Sequence, residues 1–148
     1  MDMKTVPCPC GCAGVTAKPL ETRRRPPCGG SNKKYAGCCG RYLDGGEVAP
    51  TAEALMRSRY TAYALGREDY LQATWHPSTR PASLELASEP HSKWLGLEVR
   101  RHEQLKPDNA VVEFVARHKV SGRAHRLHEI SRFVREAGQW FYVDGDII

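Results

Sequence analysis

The sequence of 148 residues lacks any long apolar run, and aromatic residues make up only 8% of it. Its longest apolar stretch, Val111 to Ala116, is interrupted by Glu113 and is far too short to cross a bilayer. The first residues, Met1 to Val6, do not have the apolar core of a secretory signal. We therefore expect a compact cytoplasmic protein that is neither secreted nor inserted into a membrane.

Cysteine is absent after residue 39, and histidine is absent before residue 76. The net charge of +5 is also unevenly divided, with eight Lys+Arg against four Asp+Glu in residues 1–50 and fourteen against thirteen afterwards. This segregation predicts two units, a cysteine-rich module over residues 1–45 and a cysteine-free domain over residues 46–148. The module contains all six cysteines: Cys8, Cys10, Cys12, Cys28, Cys38 and Cys39.

The cysteine-rich module is too short and too poor in apolar residues to be stable on hydrophobic burial alone. In a reducing compartment, clustered thiols are metal ligands more often than disulfides. The adjacent Cys38 and Cys39 cannot easily bridge each other, which also favours a metal. We predict a structural Zn²⁺ bound by four thiolates, closed to water and therefore without a catalytic role. A disulfide or free thiols are the alternative.

Two segments of the module resemble a known zinc knuckle. Cys8-Pro9-Cys10-Gly11 and the segment Lys33 to Gly40 look like the two ends of the SEC-C motif, found at the C-terminus of the SecA translocation ATPase. The spacing departs from that motif, because twenty-seven residues separate Cys10 from Cys38, as if residues 12–32 were inserted. The resemblance implies Cys8, Cys10, Cys38 and Cys39 as the zinc ligands, with Cys28 as the rival ligand in a second register.

The rest of the chain is similar to the YchJ family of uncharacterised bacterial proteins. The similar segments are Arg41 to Gly46, Met56 to Tyr63, Thr74 to Ser78, Trp94 to Leu97, Glu129 to Phe133 and Trp140 to Gly145. Together with the knuckle they cover nearly the whole chain. The resemblance implies that the second unit is a nuclear transport factor 2-like (NTF2-like) cone, in which a curved antiparallel sheet wraps around helices and leaves a pocket.

The residue pattern by itself predicts an α+β domain. Apolar residues at helical spacing predict a helix between the N-cap Thr51 and Gly66, and a second helix over residues 67–75. Four strand-like runs follow, with turn residues between them, as antiparallel hairpins require. They are Lys93 to Glu103, Ala110 to Lys119, His125 to Arg135 and Gln139 to Asp144. Strand alternation assigns Val112, Phe114 and Ala116 to the core.

Eight residues are candidates for lining a pocket: Tyr60, Tyr63, Trp75, His76, Glu129, Ser131, Trp140 and Tyr142. Core packing is an ordinary alternative for the aromatic residues. His76 follows the second predicted helix, where capping is the alternative to catalysis. Glu129, if enclosed, either pairs with a cation or becomes a general base. Glu129 and His76 are therefore the candidate catalytic residues, and neither is assigned.

We favour a zinc-binding adaptor protein, whose knuckle contacts a protein partner and whose cone binds a small ligand or a second copy of the chain. By analogy with SecA, the partner would be a chaperone or translocation component. One alternative is a small-molecule enzyme of the isomerase, cyclase or hydrolase type that uses the cone pocket. A second is contact with RNA or the ribosome through Arg23 to Arg25, although three basic residues also suit a solvated loop.

Overall fold

The computed structural model describes residues 38–82 and 92–148. Three helices precede four strands: α1 (Gly40–Leu43), α2 (Ala52–Leu65), α3 (Glu68–Ala73), β1 (Ser92–Lys106), β2 (Asn109–Val120), β3 (Arg123–Glu136) and β4 (Gln139–Ile147). The strands form one antiparallel sheet in the order β1-β2-β3-β4. The predicted α+β class is confirmed. Cys8, Cys10, Cys12, Cys28 and the arginines 23–25 lie outside the described residues.

Helix α2 begins and ends where the sequence predicts. Thr51 is extended, and its Oγ1 accepts a hydrogen bond from the Ala54 N–H at 3.0 Å. At the other end Gly66 has a φ of +73°, a left-handed conformation that costs glycine little, and its N–H bonds back to the helix. Most residues between Ala52 and Ala62 are buried. The helix contacts β1, β2 and β4, so it packs against the inner face of the sheet.

Two of the hairpins turn on pairs of residues with positive φ. Ser121 and Gly122 have φ of 52° and 81°, and Ala137 and Gly138 have φ of 53° and 76°. Two consecutive positive φ angles are what a type I′ turn needs, and its twist matches that of the flanking strands. The predicted hairpins are therefore confirmed, with strands a few residues longer than predicted.

The sheet is irregular along its β1 edge. The β1–β2 register shifts between Trp94 and Gly96, between Val99 and Arg101, and again before Lys106. The β3–β4 register shifts once, at Arg132/Phe133. Such bulges bend a strand and increase its twist, which suits a sheet that curves around α2.

The inner face of β2 carries the predicted core row. Val112, Phe114 and Ala116 are 0%, 7% and 1% exposed. Cys38 and Cys39, both fully buried, belong to the same apolar cluster as these residues. Cys38 and Cys39, which the sequence pattern assigns to the cysteine-rich module, therefore pack into the same core as the strands. None of the helices between residues 38 and 82, or after residue 92, has the length and apolarity needed to span a membrane.

The segment after α3 pairs with β4. The His76 N–H donates to the Tyr142 carbonyl at 2.7 Å, and the Tyr142 N–H donates to the Thr74 carbonyl at 2.9 Å. Because these backbone groups bond to the sheet, α3 ends at Ala73, earlier than predicted. The pairing fixes Trp75 beside Tyr142, with ring centroids 4.9 Å apart.

Candidate functional site

A cavity of about 260 Å³ lies between α2 and the inner face of the sheet. Helix α2, the Trp75 segment and all four strands contribute to its wall. The lining residues are Met56, Arg59, Tyr60, Tyr63, Trp75, Trp94, Phe114, Ala116, Leu127, Glu129, Ser131, Phe133 and Tyr142. Most of these side chains are aromatic or aliphatic, and two are charged. The cavity is therefore apolar with a few polar groups, as small-molecule sites are.

Six of the eight residues predicted from the sequence to line a pocket lie on this wall: Tyr60, Tyr63, Trp75, Glu129, Ser131 and Tyr142. Two of the eight, His76 and Trp140, are not among the lining residues. The alternation of β3 brings Leu127, Glu129, Ser131 and Phe133 to the same side of the sheet, facing α2.

The aromatic wall is held by edge-to-face and tilted contacts between rings. Trp94 of β1 lies 5.6 Å from Tyr60 and 6.0 Å from Tyr63, measured between ring centroids. At the other end Tyr142 contacts both Trp75 and Phe133 in edge-to-face geometry. Packing of this kind fixes the rings in position, so the wall presents a defined apolar surface.

Glu129 forms a polar cluster on the β3–β4 side of the wall. Its Oε2 accepts hydrogen bonds from the Ser131 hydroxyl and, at 3.4 Å, from the Tyr142 hydroxyl. Within residues 38–82 and 92–148, no group is bonded to the other oxygen, Oε1. Burial is the main cause, and the negative charge of Glu129 a second, of a pKa for Tyr142 well above its usual value. Tyr142 is therefore a neutral donor to a carboxylate acceptor.

Arg59 projects from α2 into the same cavity and is only 5% exposed. Its Nη1 donates to the Leu71 carbonyl at 2.9 Å and to Thr74 Oγ1 at 2.7 Å. The guanidinium carbon lies 5.0 Å from the ring centroid of Trp75 and 4.7 Å from that of Tyr142. Burial lowers the pKa of Arg59 from its ordinary value, but an arginine stays protonated in proteins. The cavity thus contains a buried cation.

His76 lies outside the cavity, in a short polar array. Its Nδ1 is 2.7 Å from Ser78 Oγ and also accepts the Ser78 N–H at 3.1 Å, while its Nε2 is 2.7 Å from Glu136 Oε2. Because the backbone N–H donates to Nδ1, the neutral ring carries its proton on Nε2. These bonds hold the turn after Trp75 against β3, which is a structural role.

Trp140 is 4% exposed and contributes to a second cavity of about 210 Å³, near α1. Tyr42, Leu55 and Tyr70 are also part of that wall. The Arg135 guanidinium covers the Trp140 ring at 5.6 Å. Trp140 therefore packs in the core between α1, α2 and β4, away from Glu129.

Of the four predicted zinc ligands, the structure describes Cys38 and Cys39. Both cysteine side chains are fully buried at the start of α1, and Arg41 Nε donates to the Cys38 carbonyl at 3.0 Å. No group of three or more metal-binding side chains occurs in the part of the chain that the structure describes. Two adjacent, buried cysteines beside a basic residue fit half of a four-thiolate zinc site. Cys8 and Cys10, and the rival Cys28, lie outside the described residues.

Arg59 and Trp94 are functional candidates that the sequence did not single out. The available signal was that Arg59 shares a helix face with Met56 and Tyr63, which are three and four residues away. An arginine among apolar residues at helical spacing marks a buried cation. Trp94 was covered only by the family resemblance, because its neighbours in β1 show no clean alternation.

Three comparisons relate this chain to known proteins. The family model described as "YchJ, middle NTF2-like domain" matches residues 51–145. A UPF0225 protein of Polaromonas naphthalenivorans is 57% identical over 143 residues, which is 96% of this chain and 98% of that protein. A UPF0225 protein of Chromobacterium violaceum is 59% identical over 129 residues, or 84% of this chain and 94% of that protein.

Two solved structures have the same fold. The solution structure of a SEC-C motif containing protein from Rhodopseudomonas palustris matches with a TM-score of 0.72 and 36% identity, covering 80% of this chain and 95% of that one. The crystal structure of a SEC-C motif containing protein from Psychrobacter arcticus also has a TM-score of 0.72, with 30% identity, and covers 99% of this chain and 85% of that one. Because the family model of the YchJ middle NTF2-like domain covers residues 51–145, the α+β domain is NTF2-like.

Proposed function

This chain belongs to the YchJ family, and we propose that it is a binding protein whose NTF2-like domain takes up a small organic molecule in the cavity beneath α2. The observation that carries the proposal is the combination of a fixed aromatic wall with Glu129, Ser131 and Arg59 on its surface. Because the volume is about 260 Å³, below the roughly 300–1,000 Å³ usual for drug-sized ligands, the ligand has about one ring.

A screen of one-ring fragments by ligand-observed NMR tests this proposal on the full chain. Hits are then measured against Ser131→Ala and the matched control Ser58→Ala. Both serines are buried, but Ser131 lies on the cavity wall, whereas Ser58 is bonded to Leu55 and Tyr70. We expect binding to weaken in Ser131→Ala only. Equal effects of the two variants, or no hits at all, would contradict a cavity ligand.

We further propose that the cysteine-rich module holds a structural zinc ion and contacts a protein partner, which makes the protein an adaptor. The buried pair Cys38 and Cys39 supports a thiolate site, and the solved relatives are titled SEC-C motif containing proteins. Zinc-bound thiolates persist in a reducing compartment, which favours the cytoplasm. A chaperone or translocation component, a second copy of the chain and RNA remain candidate partners.

Zinc content of the purified full chain tests the ligand set. We expect one zinc per chain in the wild type and in Cys28→Ser, and loss of zinc in Cys10→Ser and Cys38→Ser. Loss of zinc in Cys28→Ser, with zinc retained in Cys10→Ser, would show that Cys28 and not Cys10 is a ligand. Absence of zinc from the wild type purified under reducing conditions would refute the zinc proposal but leave the cavity proposal standing.

A small-molecule enzyme acting in the same cavity is the second candidate function. The observation that favours it is Glu129, a residue of the cavity wall whose Oε1 is not bonded to any described group. Such an oxygen can remove a proton from a bound molecule. Incubating each screening hit with the protein in D₂O tests this directly. Deuterium uptake at a carbon atom of the hit that is lost in Glu129→Gln would favour the enzyme.

A further inference from the structure

The buried guanidinium of Arg59 has hydrogen-bonding capacity that the described protein groups do not use. Both N–H bonds of Nη1 are taken by Leu71 and Thr74. No acceptor among residues 38–82 and 92–148 is bonded to Nε or Nη2. The described residues also place no carboxylate in ion-pairing contact with the guanidinium. Arg59 lines the cavity and is 5% exposed, and three of its N–H donors have no acceptor among the described protein groups.

Two of the three available N–H bonds, one on Nε and one on Nη2, lie on the same edge of the guanidinium plane. Trp75 and Tyr142 cover the group at 5.0 Å and 4.7 Å from their ring centroids, and ring faces attract the cation without accepting its in-plane hydrogen bonds. The Nε–Nη2 edge presents two parallel N–H bonds. This is the geometry that binds a carboxylate through both of its oxygens.

Glu129 supplies the complementary group. Its Oε2 is bonded to Ser131 and Tyr142, and its Oε1 is available to accept a hydrogen bond from a ligand. A molecule that fills the cavity and satisfies both charges must therefore carry an anion at one end and a donor at the other. The rings of Tyr60, Trp94 and Phe133 on the wall favour a flat apolar body between these ends.

We propose that the ligand of this cavity is a small aromatic hydroxycarboxylate, whose carboxylate binds the Nε–Nη2 edge of Arg59 and whose hydroxyl donates to Glu129. This inference rests on the proposed binding function and specifies its ligand class. Charge-assisted, bidentate contacts are among the stronger hydrogen bonds in proteins. Losing them from a buried guanidinium reduces affinity by about tenfold to a hundredfold.

A matched pair of probes tests the carboxylate without changing the protein. 4-Hydroxybenzoate and 4-hydroxybenzamide have the same shape and the same hydroxyl, but only the first is an anion. We expect the wild-type full chain to bind 4-hydroxybenzoate at least about tenfold more tightly by isothermal titration calorimetry. Benzoate, which lacks the hydroxyl, should bind more weakly than 4-hydroxybenzoate.

Variants of Arg59 test the anchoring residue. Arg59→Gln removes the charge and should abolish the preference for the acid over the amide. Arg59→Lys keeps the charge but lacks the two parallel N–H donors, so it should retain only part of that preference. Far-UV circular dichroism and urea unfolding check that each variant is folded. If neither folds, the comparison of acid with amide in the wild type still decides the question.

The outcomes separate the two proposals. An amide that binds as tightly as the acid, or an acid preference that persists in folded Arg59→Gln, overturns the carboxylate assignment and leaves the binding function intact. Absence of binding by both probes while other neutral fragments bind also overturns it. If no molecule of any class binds in the cavity, both proposals fail.

Discussion

Gly145 of β4 leaves room for the carboxylate of Glu129, so substituting it with alanine tests whether that carboxylate is held where the structure places it. A Cβ at position 145 would collide with Oε2 of Glu129 and lie 2.7 Å from its Cδ and 2.9 Å from its Cγ. All three atoms belong to one flexible side chain. We therefore expect the side chain to move aside, which breaks its hydrogen bonds with Ser131 and Tyr142.

The size of the effect follows from those two hydrogen bonds and from the crowding. Hydrogen bonds to a charged group contribute about 1.5–3 kcal/mol each, and forced repacking costs about 1–3 kcal/mol. The displaced carboxylate can regain polar contacts, which offsets part of the loss. We expect Gly145→Ala to lower the free energy of unfolding by about 2 kcal/mol. For a chain of this length, that corresponds to a Tm lower by about 4–8 °C.

Equilibrium urea unfolding, followed by tryptophan fluorescence, measures this change. Gly96→Ala is the matched control, because Gly96 is also a strand glycine and an added Cβ there meets nothing within 4 Å. We expect Gly96→Ala to change the free energy of unfolding by less than about 0.5 kcal/mol. In a Glu129→Ala background the collision disappears, so Gly145→Ala should then be nearly neutral. A cost that is the same in both backgrounds would refute the reasoning.

Three further predictions concern a tyrosine, a helix cap and the buried arginine. Burial raises the pKa of Tyr70 from 10.0 to about 12. The contribution of Tyr70 to the free energy of unfolding is therefore fully present below pH 10 and is lost as the pH rises towards 12. Urea midpoints between pH 8 and 11 should fall less steeply in Tyr70→Phe than in the wild type. Thr51→Ala should lower the free energy of unfolding by about 1 kcal/mol, whereas Thr51→Ser should keep the cap; equal losses would exclude the hydroxyl bond as the cause. Arg59→Met should leave the free energy of unfolding unchanged or raise it by about 1–4 kcal/mol, and it should abolish binding of 4-hydroxybenzoate. A large fall in the free energy of unfolding would show that the cation is structural.

Local sequence signals predicted α2 and the hairpins well, because each has a local physical cause. Helix α2 begins at the side-chain cap Thr51 and ends at the left-handed Gly66, and the sequence predicts both positions. The hairpins depend on short turn sequences such as Ser121-Gly122. The end of α3 was not predictable in this way, because backbone bonds to Tyr142, distant in sequence, end the helix at Ala73.

The curved shape and the family were accessible only through the motif resemblance, and the match to residues 51–145 confirms the family. Alternation in β3 placed Glu129 and Ser131 on one row but could not decide whether that row faces a pocket or solvent. His76 was a candidate pocket residue and base at the end of the second predicted helix, with capping as the alternative. Its backbone pairs with β4, and its ring points to Ser78 and Glu136 instead.

The stability of the domain does not explain why Arg59 is buried in its core. A charge that leaves water is costly unless it is paired, and apolar residues of similar volume commonly replace buried charges without loss. Met56 and Tyr60, its neighbours on α2, show that apolar side chains fit the same wall. The carbonyl and hydroxyl bonded to Nη1 fix the orientation of the guanidinium, and Glu129 attracts it electrostatically without forming an ion pair with it. A positioned cation with an open edge is therefore better explained by an anion that enters the cavity than by the packing of the domain.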